Sequence, residues 1–203
     1  MQHNQMRIQG YISLSQMLQR PTEDLPKLIN SEEFCNLWQQ IKETYNTPLP
    51  ASWEGEALPE LTDWTKMWVT TMGPIKPLAE PIESLYKIWT TDKSCEISIA
   101  NQKGYLRSDW ACHMEQLLND AGLEIPSRFA HCPDHLVLEM EFFSMLIEEE
   151  ATEAAQLEFF EHHLDWLKDL YDSAQEKNAP QIYQDLYYLC LQFTQADEKF
   201  LKS

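Results

Sequence analysis

The chain of 203 residues carries 33 acidic side chains against 15 lysines and arginines, a formal charge of −18. Such a surface repels phosphate backbones and anionic lipid, which argues against binding to nucleic acid or a membrane surface and favours basic partners. Only five glycines are present, and no stretch alternates as a half-buried strand does, so the composition predicts an all-α protein.

The first predicted helix runs from about Arg7 to Leu18, with Ile8, Tyr11, Ile12, Leu14 and Leu18 on one side and Pro21 ending it. Ser31 reads as an N-cap, with Glu32 and Glu33 in the first turn of a helix to about Tyr45. Asn46 to Glu56 holds Pro48, Pro50 and Gly55 and reads as a loop. A helix over Leu58 to Thr70 carries Trp64, Met67 and Trp68 at i, i+3 and i+4, on one face. The segment from Gly73 to Tyr86 follows, in which Pro74, Pro77 and Pro81 enforce a stiff, extended course. The material after Ile82 reads as helical again. Thr90 to Gly104 is polar and irregular. Ser108 to Ala121 reads as a helix with Gly122 at the ending position.

Leu123 to His131 is predicted to link an N-terminal part (1–122) to a C-terminal part (132–203) of one helical domain with about eight helices. Pro133 suits the first position of the next helix, which is apolar nearly all round from Leu136 to Ile147 and is therefore placed in the core. Two amphipathic helices complete the chain, one striped by Leu157, Phe160, Leu164, Leu167 and Tyr171, the other by Ile182, Leu186, Leu189 and Phe193. Five scattered cysteines without a C-x-x-C step suit reduced thiols in a cytosolic protein. The first residues lack a signal-peptide pattern, and no apolar run approaches a membrane span, so a cytoplasmic protein is expected.

Enzymatic chemistry has little support, since no G-x-S-x-G elbow, P-loop or G-x-G-x-x-G occurs. A small helical metalloprotein using His131, His135, Glu158 and His162 is the alternative. Against it, Pro133 separates His131 from the helix that holds His135, and no Glu-x-x-His step exists. The Trp64, Met67, Trp68 face admits two readings, core packing or one wall of a groove for an apolar peptide helix. Asp134 likewise either favours the dipole of its helix or meets a partner's guanidinium.

An aromatic-x-x-apolar-aromatic helix (Trp64, Met67, Trp68) running into a Gly-Pro, Pro-rich loop that ends Ser84-Leu85-Tyr86, together with a later Pro133-Asp134-His135 step, resembles the TorD/DmsD-like family. These are cytoplasmic chaperones for molybdenum enzymes with twin-arginine signal peptides. The resemblance implies a non-enzymatic chaperone without a cofactor of its own. Its partners would be the signal peptide and apo form of a molybdenum redox enzyme, held back from export until the cofactor is inserted. It also implies a peptide site around Trp64, Met67, Trp68, Pro81, Ser84, Tyr86, Pro133, Asp134 and His135, and a monomer or a domain-swapped homodimer.

Overall fold

The computed structural model describes residues 2–203. Among these it holds nine α-helices, several 3-10 turns and no strand. α1 (Gln2–Leu18) crosses the middle of the domain and packs chiefly on α6 (Leu136–Glu148), and also on α3 (Glu32–Tyr45) and α9 (Gln181–Leu201). α1 begins five residues before the predicted Arg7. Arg7 turns inward, 2 % exposed, to meet the fully buried carboxylate of Asp197 at 2.6 Å. The same carboxylate accepts from Tyr11 and Tyr45 hydroxyls, tying α1, α3 and α9 together. A buried charge is tolerable only when so satisfied. Gly10 lets α9 approach: a Cβ there would lie 2.4 Å from the Phe193 ring.

Ser31 caps α3 as its sequence predicts, its hydroxyl accepting from the Phe34 amide at 3.2 Å. The five-residue α2 (Leu25–Ile29) has too short a repeat to show in the sequence. The expected loop 46–56 contains two 3-10 turns, and its Trp53 is wholly buried. That indole donates to the Ile182 carbonyl at 2.8 Å and packs edge-on against Trp64. α4 (Leu61–Met72) starts and ends slightly later than predicted. α5 (Asp109–Asp120) ends as its Gly122 foretold: that glycine takes φ 70°, and the Leu123 amide closes back on the Leu118 carbonyl.

Three expectations fail locally. After Ile82 the chain makes only a 3-10 turn, Glu83–Leu85, before an irregular stretch that reaches α5. Pro133 does not open α6; it sits in a buried turn, and His135 is the N-cap, its Nδ1 accepting from the Val137 amide. The chain is held in that turn by backbone pairing with the Pro-rich segment, which outweighs proline's preference for a first helical position. The predicted stripe from Leu157 to Tyr171 is broken: α7 (Glu153–Phe159) runs into a π turn (Phe160–Leu164), and α8 (Leu167–Glu176) follows. One hydrophobic core spans all of these elements, so the domain is single.

Candidate functional site

The Pro-rich segment leaves α4 at Gly73, where a Cβ would lie 2.4 Å from the Val69 carbonyl oxygen, so this exit requires glycine. It then folds back onto the Pro133-Asp134-His135 turn. Ile82 and His135 form an antiparallel bridge, the Glu83 amide donates to the Asp134 carbonyl at 3.0 Å, and the Leu136 amide donates to the Pro81 carbonyl at 2.9 Å. The two marked segments, 50 residues apart in sequence, are thus one structural unit.

Asp134 is fully buried. Its Oδ2 accepts from the Ser84 amide at 2.8 Å and from the Ser84 hydroxyl, which also meets the Ser108 hydroxyl at 2.6 Å. Burial pushes the Asp134 carboxyl above its ordinary value, and the Ser84 bonds oppose that rise. Asp134 therefore neither lies in the first turn of α6 nor presents its carboxylate to solvent. Pro81, Ser84, Tyr86 and Pro133 are buried with it. Tyr86 stacks on Trp166, ring centroids 5.3 Å apart.

A second layer, absent from the sequence reading, lies beneath. Glu83 and Glu139 are fully buried, and His163 is nearly so. Glu83 meets His163 Nδ1 at 2.8 Å and Lys87 Nζ at 3.1 Å; Lys87 also reaches Asp165 at 2.7 Å and lies 3.5 Å from the centroid of the Trp110 ring. His163 Nε2 pairs with His113 Nδ1 at 2.8 Å. Glu139 accepts from Trp166 Nε1, while its other oxygen has no hydrogen-bond partner. Burial pushes Glu83 up to about 8, with Lys87 opposing, and holds Glu139 well above the carboxylate range, reinforced by the Glu83 charge. It presses His163 down to about 3, so that ring is neutral. The Glu83, Glu139 and His163 ligand atoms lie within 4.8 Å of one another, the spacing of a metal cage. The Lys87 ammonium already supplies the cationic charge there. A carboxylate inside a helix apolar on every side was the one signal that could have revealed Glu139.

The four residues of the metal alternative are not brought together. His131 is exposed, His135 is engaged at the start of α6, and Glu158 in α7 and His162 in the π turn are exposed near His113. Burial and the nearby Arg128 push His135 down to about 3.

Of the tryptophan face, Trp64 belongs to the core, while Met67 and Trp68 are half-buried. Trp68 donates to the Leu18 carbonyl at 3.1 Å. It opens on a cavity of about 360 Å³, which Met72 and Pro74 line with it. Phe129, Cys132 and His135, from the chain before α6, line the same cavity. Glu80, half-buried and raised by burial, also lines it, as do Arg20 and Arg128. A wider groove of about 880 Å³ lies between α1 and α3 and touches none of the predicted site residues.

Residues 30–180 match the family described as nitrate reductase delta subunit. The chain belongs to that family. Nitrate reductase delta proteins are TorD-type chaperones of molybdoenzyme maturation, so the expected resemblance and the all-helical fold both hold. No curated protein matches this chain. Among the described residues of this delta-family member, no helix is long and apolar enough to cross a membrane.

Proposed function

We propose that this chain binds the N-terminal signal peptide of a molybdenum redox enzyme in the cytoplasm and delays export until the cofactor is in place. The observation that carries this reading is the cavity where the two marked segments meet, with Trp68 and Met72 across from Phe129 and His135. Buried Asp134 and Ser84 act as positioning residues: they hold the Pro-rich segment against the Pro133 turn and so shape the cavity without touching the peptide. Glu80, whose carboxylate makes no side-chain hydrogen bond or ion pair among the described residues, is the group placed to receive a peptide guanidinium.

Magnitudes favour apolar contact as the main source of affinity. A micromolar complex needs about −8 kcal/mol, whereas an exposed Arg–carboxylate pair contributes about 0.2–1 kcal/mol. Burying roughly 500 Å² of apolar surface gives about 12 kcal/mol at 25 cal/mol per Å², from which the cost of association is subtracted. The net charge of −18 speeds the approach of a basic peptide more than it tightens the complex.

Calorimetry with a synthetic twin-arginine signal peptide tests this. Changing the peptide's leucines to serine is expected to weaken binding more than changing its two arginines to glutamine. Equal or reversed ranking contradicts the proposal.

A further inference from the structure

The chain has four arginines. Arg7 is paired with Asp197 and Arg107 with Glu115. Arg20 and Arg128 make no ion pair with any described residue, in a protein with 33 acidic side chains. Both line the same cavity beside Trp68 and His135. They come from separate segments, Arg20 just past the end of α1 and Arg128 from the 3-10 turn Ser127–Phe129. Arg128 is oriented, not loose: its Nη2 donates to Gln19 Oε1 at 3.1 Å, and its guanidinium lies 4.8 Å from the centroid of the Phe129 ring. A cation near the end of α1 has a dipole role to play, but that role accounts for one guanidinium and not for two converging on one cavity.

Two guanidiniums without an ion pair, one of them held by Gln19 and the Phe129 ring, lie next to an apolar wall and match a planar anion attached to an apolar body; Glu80 on the same cavity pairs with neither. His135 is neutral there and adds no competing charge. We infer that Arg20 and Arg128 form a carboxylate-binding pair, and that the peptide seated in the cavity carries an acidic side chain next to its apolar stretch. The inference rests on the cavity being the peptide site. It adds a rule for partner choice: the peptide's basic residues lie away from Arg20 and Arg128, and its acidic residue fixes the direction in which it lies.

The test uses two synthetic leucine-rich helical peptides, identical except that one carries a glutamate where the other carries glutamine. Their affinities are measured by calorimetry on the full chain and on Arg20→Gln and Arg128→Gln variants. The wild type is expected to prefer the glutamate peptide by about tenfold, the ratio that corresponds to about 1.4 kcal/mol. Each variant should lose most of that preference while keeping its affinity for the glutamine peptide, and the preference should shrink with added salt. Unchanged melting temperatures confirm that these exposed substitutions leave the fold intact. If both peptides bind the wild type equally, the carboxylate pair is refuted while the apolar site stands. If neither binds, the site itself is refuted and this inference with it. Displacement of the glutamine peptide by millimolar inorganic phosphate, without any glutamate preference, would assign the arginines to a phosphorylated ligand and overturn the peptide carboxylate.

Discussion

Glu139→Gln isolates the buried carboxyl pair. Glu139 is fully buried, its ionised form opposed by burial first, by the Glu83 charge second and by Asp134 third. Its folded-state pKa therefore lies well above the ordinary 4.5, and the native state keeps a proton that the unfolded chain releases. Stability is full below pH 4.5 and is lost as pH rises toward the folded-state value, by about 1.4 kcal/mol for each pH unit while Glu139 remains protonated. Glutamine cannot ionise in either state, so the substitution removes this loss. Its carbonyl can still accept from Trp166 Nε1. The variant's advantage over the wild type should grow from pH 5.5 to pH 7.5, by no more than about 1.4 kcal/mol per pH unit for one full proton. Urea unfolding of both proteins at the two pH values measures the difference. A variant whose advantage does not grow with pH, or one less stable than the wild type at pH 7.5, would refute the argument.

Asp197→Ala leaves the Arg7 guanidinium buried with only the Gln156 and Asn4 side chains as partners and frees the Tyr11 and Tyr45 hydroxyls. A loss of about 3–5 kcal/mol is expected by urea unfolding, whereas a loss below 1 kcal/mol would show that the pair is dispensable. Asp134→Ala removes the acceptor of two Ser84 donors, which should cost about 2–4 kcal/mol, lessened by release of a buried charge. Peptide affinity should fall with it, because the Pro-rich segment loses its anchor. A destabilised variant with undiminished affinity would remove Asp134 from any part in shaping the site.

The helices were legible because their signals are local: the Ser31 cap, the Gly122 stop and the apolar surface of α6 each act within a few residues. What escaped depends on distant pairing. The start of α6 moved from Pro133 to Leu136 because the preceding turn bonds to Pro81 and Glu83, some 50 residues upstream. Trp53 was read as part of a loop because its anchors, Trp64 and Ile182, come from elsewhere in the chain. The two marked segments meet in space, but the burial of their residues is not visible in the sequence. Ser84, Asp134 and Tyr86 face inward, and only Trp68 and His135 of the predicted set reach the cavity. Arg20 and Arg128 gave no sequence signal, since an unpaired arginine is recognised only when its neighbours in space are known.

The most direct measurement is the affinity of Trp68→Ala for a synthetic twin-arginine signal peptide, set beside Trp110→Ala as a control. Trp68 lines the cavity, whereas Trp110 lies with Lys87 outside it. Loss of a large aromatic contact from a peptide site costs on the order of 2 kcal/mol, so calorimetry should show binding weakened at least tenfold by Trp68→Ala and little changed by Trp110→Ala. Undiminished binding by a folded Trp68→Ala protein would contradict the placement of the peptide in this cavity.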